Sequence, residues 1–339
     1  MSVLELLYLA GHSLKTLADG VRRRTLPVPV VSIGNITTGG TGKTPATVAL
    51  AREALRRGLR PAILTRGYRG RLKGPVLIAP DMNARDAGDE PLMMARALPG
   101  VPVIKDAVRY RGGEFALRTL RTRPDLFILD DGFQHRRLGR DLDIVLVSAQ
   151  VALRLERLLP AGNLREPLKS LLRADVIVVT KCDDVSFGET VECVRLYNHG
   201  SPIFAASHEP SALVRAHGGE PLALGAVRGE RVFVLSGIAH PASFLKTVQS
   251  LGGHVVGERR FRDHHVFSDR EVAAAVAEGR AEGARWILTT EKDIMRLAAS
   301  GTALPENLLA VSIVFQADEA YYKTVFSALG QGEADADAR

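Results

Sequence analysis

The stretch Gly39-Gly40-Thr41-Gly42-Lys43-Thr44 narrows the folds open to this 339-residue chain more than any other. It follows the apolar run Val28–Ile33 and precedes a helical pattern, Thr44–Arg57. Glycines at such a junction let backbone N–H groups curl around phosphate oxygens, with a helix N-terminus facing the negative charge. Lys43 is placed to reach the outer phosphates and the Thr44 hydroxyl to ligate Mg2+. Nucleotide phosphates are therefore expected on Gly39, Gly40, Thr41, Gly42, Lys43 and Thr44. The match to GxxxxGK[ST] is loose, because Thr37 stands where the first glycine belongs. Pro45 falls in the first helical turn, where a missing N–H costs little.

The surrounding pattern is strand, loop and helix in alternation. Apolar runs recur at Val28–Ile33, Pro61–Leu64, Val101–Ile104, Leu126–Leu129, Asp143–Val147 and Val176–Val179. Their continuous apolar character fits parallel strands buried on both faces, with helices at Thr44–Arg57, Glu90–Ala97 and Tyr110–Arg121 between them. Residues 201–229, rich in Gly, Pro, Ala and His, read as a linker. A second α/β set follows, with strands at Arg231–Leu235, His254–Val256, Arg285–Leu288 and Leu308–Val314 and helices at Pro241–Leu251 and Asp269–Glu282. The expected fold is α/β: a P-loop NTPase-like parallel-sheet domain (26–205) with a second, smaller Rossmann-like α/β domain (206–329). An N-terminal amphipathic helix is placed at 1–25 and a disordered tail at 330–339.

Charge points toward an anionic partner, since 45 Lys and Arg face 38 Asp and Glu. Eight of the basic residues lie between Arg52 and Lys73, against one acid, Glu53. A solvated helix face and a phosphorylated ligand or anionic lipid remain open for that stretch. With aromatics at 5% and no finger or RNP pattern, nucleic acid is not expected as a partner. Cys182 and Cys193 fit neither a disulfide framework nor a CxxC metal site.

Two strand ends carry further chemistry. Leu126–Leu129 runs into Asp130-Asp131-Gly132, and carboxylates at the end of a buried strand suit Mg2+ beside phosphates. Thr180-Lys181-Cys182-Asp183 is similar to the NKxD guanine-reading motif, with Thr180 in place of Asn. A GTPase would also need DxxG, yet Phe133 and Gln134 stand at the fourth positions from Asp130 and Asp131.

Together these residues resemble the tetraacyldisaccharide 4'-kinases, which phosphorylate a lipid A precursor. The resemblance rests on SIGNITTGGTGKTP from Ser32, LTRGYRG from Leu64, AGDEP from Ala87 and RYRGG from Arg109. It continues through ILDDGFQHRRLGRDLDI from Ile128, LPAGNLREP from Leu159, Asp263-His264 and LTTEKD from Leu288. It implies Mg2+-dependent transfer of the γ-phosphoryl group of ATP to a sugar hydroxyl of an acylated disaccharide 1-phosphate. By motif, Lys43 would hold phosphates, Thr44 and Asp130 would serve Mg2+, and Asp131 would organise that site. Asp89 would be the catalytic base, adjusted by His264. Glu166 would be a metal-side or positioning carboxylate. Tyr68, Arg109, Gln134, His135 and Arg165 would contact substrate or support the site. From the residues alone, Asp89 reads first as an acidic N-cap or first-turn residue of the helix that begins near Glu90.

The resemblance also bears on residues 1–17, where Val3, Leu6, Leu7, Ala10, Leu14 and Leu17 recur at helical spacing before Arg22-Arg23-Arg24. The basic cluster follows the apolar stretch, the reverse of a signal peptide. Packing on the domain and lying on anionic lipid are both open from composition. An acylated substrate favours the second, which implies peripheral attachment at the cytoplasmic face of the bacterial inner membrane. A monomer is expected. The rival readings are a switch or partitioning P-loop NTPase and a nucleic-acid-binding ATPase.

Overall fold

The computed structural model describes residues 3–21, 23–181, 184–215, 220–301 and 303–330. The tail beyond Gly330, Arg22 of the arginine cluster, and Cys182 and Asp183 lie outside the described residues.

In chain order the first half comprises α1 (Val3–Val21), β1 (Val30–Asn35), α2 (Lys43–Arg56), β2 (Pro61–Thr65), β3 (Val76–Leu77), α3 (Ala84–Ala87) and α4 (Asp89–Ala97). It continues with β4 (Val103–Lys105), α5 (Arg109–Thr119), β5 (Leu126–Asp130), β6 (Leu142–Ser148), β7 (Val176–Thr180) and α6 (Asp184–Arg195). β8 (Ile203–Arg215) leads to β9 (Arg231–Ser236), α7 (Pro241–Ser250), β10 (His254–Arg260), α8 (Asp269–Ala281), β11 (Trp286–Thr290), α9 (Glu291–Ala298), β12 (Leu308–Ala317) and α10 (Glu319–Ala328). All twelve strands join one mixed sheet in the order β10-β9-β11-β12-β8-β7-β6-β1-β5-β2-β4-β3.

The continuous apolar runs are buried parallel strands. β1 is paired in parallel with β5 and β6, and all six of its residues are buried. Val31 and Ile33 face a core shared with Leu50, Ala51 and Ala54 of α2, while Val30 faces the opposite layer with Phe127, Leu129 and Ala116 of α5. Helices therefore cover both faces, and the C-terminal ends of β1 and β5 open side by side at Ile33 and Asp130. In open α/β sheets this edge is where ligands bind.

The expected linker is largely a strand. Residues 203–215 form a 13-residue element that pairs in parallel with β7 and antiparallel with β12, so it belongs to both halves of the sheet. Its Pro210 lies beside a register shift opposite Ser312 and Ile313, a place where a missing ladder N–H is tolerated. Its composition hid the strand because few of its residues are buried.

The N-terminal helix inverts the usual amphipathic arrangement. Glu5 and Asp19 are buried and ion-paired to Arg157 and Arg137 at 2.6 Å each. The Tyr8 hydroxyl donates to the Arg165 carbonyl at 2.9 Å. Glu5, Tyr8, His12 and Asp19 share one helical face, and that polar face meets the protein. Leu4, Leu6, Leu7 and Leu14 point outward, with Leu7 65% and Leu14 69% exposed. Among the described residues, no helix is long and apolar enough to cross a membrane.

One close approach fixes the sheet edge to the acidic turn. A Cβ on Gly34 would lie 2.5 Å from the Phe133 Cβ and 2.7 Å from its backbone nitrogen. Gly34→Ala should push the 131–133 turn off β1 and cost about 1–3 kcal/mol through overpacking. Urea unfolding checks it, and an unchanged midpoint would show that the turn has room to move.

Candidate active site

The phosphate-binding loop is held from three sides. Gly42 caps α2 in a left-handed conformation (φ 85°), and the His208 ring of β8 occupies the space a side chain there would need. Burial pushes the His208 imidazole down to about 4, so the ring over the loop is uncharged at neutral pH. Lys181 donates to the Gly40 carbonyl at 2.6 Å, and the Thr180 hydroxyl donates to the Thr41 carbonyl at 3.3 Å. Thr38 is held through its backbone N–H to Asn163 at 2.7 Å. Thr180-Lys181, the resemblance to a base-reading motif, thus supports the phosphate loop itself. Asn35 ends β1 and donates to the Thr41 hydroxyl at 3.0 Å.

Asp130 and Asp131 end β5 beside this loop and divide into two electrostatic states. Asp130 is fully enclosed, with the hydroxyls of Thr65 and Thr47 donating to its two oxygens at 3.0 and 3.4 Å. Burial, reinforced by the neighbouring Glu90 and Asp131 charges, pushes its carboxyl up to about 7. Asp131 sits at φ 49° and turns toward cations. The Arg165 guanidinium donates to both of its oxygens at 2.8 and 3.1 Å, and Lys43 lies 3.4 Å away. Burial opposes its ionisation, yet Lys43 and Arg165 outweigh that and hold the carboxyl well below its usual range.

Arg165 and Glu166 extend the network outward. Arg165 also donates to the Asn35 side chain at 3.1 Å. Both Glu166 oxygens are engaged, by Arg173 at 2.9 and 3.1 Å and by Gln134 at 3.0 Å. Gln134 donates as well to the Asn35 carbonyl at 2.8 Å. His135 closes the turn through its N–H to the Gly132 carbonyl at 2.8 Å. Arg109, at the start of α5, is buried and donates to the Ala107 carbonyl at 3.0 Å. Burial brings its guanidinium down to about 10, which leaves it a cation near Asp131 and Asp130.

The second group gathers at the N-terminus of α4. Asp89 is the first residue of that helix and is buried, with His264 Nδ1 at 3.3 Å from its Oδ2. Burial disfavours the Asp89 anion, but the His264 hydrogen bond and the Lys292 and Arg296 charges prevail and lower its pKa. The Tyr68 ring meets His264 edge-on at 5.8 Å. His264 is itself at φ 58°, its N–H donating to the Gly237 carbonyl at 3.2 Å, while Arg69 donates to its carbonyl at 3.0 Å.

Sequence reasoning gave no role to Glu90, Lys292, Arg296 or His208. Lys292 and Arg296 come from α9 in the second half. Lys292 pairs with Glu90, and Arg296 lies 3.7 Å from Asp89 and 2.8 Å from Asp293. LTTEKD held the signal, but its contacts cross more than 200 positions of sequence.

A lysine-bearing phosphate loop facing a buried carboxylate–imidazole pair across a doubly covered sheet is the arrangement of a P-loop phosphotransferase. The tetraacyldisaccharide-1-P 4'-kinase family model matches residues 1–330, and the chain belongs to that family. The tetraacyldisaccharide 4'-kinase of Syntrophus aciditrophicus (strain SB) is 38% identical over 322 residues, covering 91% of this chain and 86% of its own. That of Anaeromyxobacter dehalogenans (strain 2CP-C) is 42% identical over 289 residues, covering 81% and 75%. The crystal structure of LpxK from Aquifex aeolicus in complex with ATP is similar at a TM-score of 0.75 and 34% identity, over 96% of each chain.

The raised Asp130 sets a pH dependence. Its carboxyl is raised to about 7 when folded, against 3.8 ordinarily, so near neutrality this group binds more proton in the folded chain than in the unfolded one. Asp130 should therefore contribute a fall in stability as pH rises, of about 1 kcal/mol between pH 6 and 8, which His208, shifted the other way, partly offsets. Urea unfolding in EDTA should show Asp130→Asn losing that part of the slope. Equal slopes in the two proteins would mean that the carboxyl is ionised throughout.

Proposed function

We propose that this chain transfers the γ-phosphoryl group of ATP, with Mg2+, to the 4'-hydroxyl of a tetraacyldisaccharide 1-phosphate in lipid A biosynthesis. Family membership supports the substrate pair, and the observation that carries the chemistry is the Asp89–His264 contact. A sugar hydroxyl is a weak acid, so a carboxylate kept ionised and oriented by an imidazole suits removal of its proton. His264 Nδ1 stands against Oδ2 while Oδ1 accepts the Glu90 N–H, so the carboxylate is held in one orientation.

Lys43 and the N–H groups of residues 39–44 hold the nucleotide phosphates, while Asp131 keeps Lys43 and Arg165 aligned toward them. The donor set fits a hard cation, since Thr44 offers a hydroxyl and Asp130 a carboxylate already oriented by Thr47 and Thr65. Mg2+ held there would neutralise charge developing on the phosphate oxygens. Glu166, clamped by Arg173, positions Gln134 and the Arg165 loop. Arg109 faces the same carboxylates as a buried cation suited to a phosphate, and Tyr68 forms a wall of the acceptor side with His264. Residues 26–205 form the nucleotide unit and 206–329 the unit that supplies His264, with their boundary inside β8.

In this reading α1 lies on the cytoplasmic face of the inner membrane with Leu4, Leu6, Leu7 and Leu14 among the acyl chains. The enzyme is a peripheral monomer that uses no nucleic acid. Burying two leucines is worth about 3–6 kcal/mol gross. Leu7→Glu with Leu14→Glu should weaken binding to anionic vesicles at least tenfold in a flotation assay. Unchanged flotation would remove α1 from membrane contact.

The reaction itself is tested with γ-labelled ATP, Mg2+ and detergent-dispersed tetraacyldisaccharide 1-phosphate. The parent should label the lipid, Lys43→Ala should not, and Asp89→Asn should lose about 10²–10⁴ in rate. Free phosphate released with no labelled lipid would favour the switch-NTPase reading.

A further inference from the structure

The reaction above leaves Lys292 of LTTEKD without a task. It is the second residue of α9, which begins directly after β11, and the sheet decides where that junction points. β8 pairs in parallel with β7 as far as Ala206, runs on past the end of β7, and pairs antiparallel with β12 from Ala206 to Arg215. β11 lies parallel to β12. Its carboxyl end is therefore aimed back toward the carboxyl ends of β1, β5 and β7, the edge that carries the phosphate loop and Asp130. Ligands of α/β sheets sit beyond that edge, and a residue just after β11 reaches the same space from the other side.

The contacts of Lys292 agree with this placement. Its ammonium pairs with Glu90, whose backbone N–H donates to Asp89 Oδ1 at 3.0 Å. Burial disfavours the ammonium, but the Glu90, Asp89 and Asp130 charges outweigh it and raise its pKa. Asp130 in turn feels both Glu90 and Lys43. Lys292 is thus a cation in electrostatic reach of the acceptor-side carboxylate and of the metal-side carboxylate. The Lys292 and Glu90 side chains remain 32% and 28% exposed, so the pair fronts the cleft and does not close a core. Arg296, one turn further along α9, is not free in this way. It is 9% exposed, forked onto the Gly237 carbonyl and paired with Asp293 at 2.8 Å.

Phosphoryl transfer spreads negative charge over the three non-bridging oxygens of the group in flight, and a compact ammonium on a flexible stem is suited to follow them. We propose that Lys292 is a catalytic residue that turns from Glu90 onto the transferring phosphoryl group and donates hydrogen bonds to its non-bridging oxygens. This rests on the kinase reading above. In the step, the acceptor hydroxyl gives its proton to Asp89 and its oxygen forms the new bond to phosphorus. The bond from that phosphorus to the β-phosphate oxygen breaks, and its electron pair leaves on ADP. Lys292 gives up no proton. Glu90 is a positioning residue that holds the ammonium at the cleft until the phosphoryl group is in place.

The test measures kcat and KM with γ-labelled ATP, Mg2+ and detergent-dispersed tetraacyldisaccharide 1-phosphate, beside ADP affinity by calorimetry. Lys292→Gln should lower kcat by about 10²–10³, the scale of one lost donor to developing charge. ADP lacks the transferred group, so its affinity should stay within about twofold of the parent and so report a folded protein. Lys292→Arg, which keeps the charge, should recover part of the rate. Glu90→Gln leaves the ammonium in place and should keep the rate within about tenfold, while the double variant should match Lys292→Gln. Four results overturn the inference and leave the kinase reading intact. They are a Lys292→Gln rate within about threefold of the parent, an ADP affinity that falls as far as the rate, a Glu90→Gln loss as large as that of Lys292→Gln, and a loss confined to the acidic limb of the kcat–pH profile. The last would mean that Lys292 only keeps Asp89 ionised. No labelled lipid from the parent overturns the kinase reading and this inference with it.

Discussion

Two adjacent carboxylates at the end of a strand buried on both faces set the terms for the rest of this molecule. Asp130 and Asp131 are too enclosed to ionise together without compensation, because like charges in a low-dielectric interior repel strongly. Burial and the neighbouring charges raise the Asp130 carboxyl to about 7, while Asp131 is turned by its positive φ into the reach of Lys43 and Arg165. Each of those cations arrives from a different segment. Lys43 brings the phosphate loop, and Arg165 brings residues 157–166, which in turn accept α1 through Tyr8 and Arg157. The charge balance of one dipeptide thereby fixes where three separate pieces of chain must meet.

The placement of α1 follows from the same network. Its polar face carries the residues that reach the 134–166 region, so turning its leucines inward would pull Glu5 and Asp19 off Arg157 and Arg137 and break the Tyr8 hydrogen bond. In the observed orientation those buried acids are paired, and exposed leucines are tolerable when another apolar phase covers them. The helix that presents an apolar face outward is thus bonded directly to the loop that holds Arg165. In the proposed orientation, that couples the membrane surface to the phosphate site through contacts of Glu5, Tyr8, His12 and Asp19.

The parts of this arrangement that sequence made legible share a local signature. β1, β5, β6 and β7 are uninterrupted apolar runs of the kind a doubly covered sheet demands, and the phosphate loop is a contiguous motif. β8 was illegible because its burial is partial and it contains Pro210; pairing on both edges, which composition does not record, makes it a strand. Its misreading also hid His208, whose place over Gly42 depends on that strand. α9 failed for another reason. Its residues Lys292 and Arg296 act on Glu90 and Asp89 from more than 200 positions away in sequence, and nothing in LTTEKD alone says which carboxylates it will face. The inward polar face of α1 was obscured by the leucines between its acids.

The Asp89 side shows how the second half sets the electrostatics of the first. As a first-turn residue of α4 the carboxylate already gains from the helix dipole, yet burial works against its charge. The groups that tip the balance, His264, Lys292 and Arg296, all follow β9 in sequence, and two of them converge on Gly237: the His264 N–H donates to its carbonyl, and so does Arg296. Asp293 completes that junction by accepting the Gly237 N–H at 3.0 Å. A carboxylate surrounded in this way is charged and oriented only while β9, the 261–268 loop and α9 keep their places against α4. Both the phosphate loop, through His208 over Gly42, and the Asp89–His264 pair take their final form where the two halves meet.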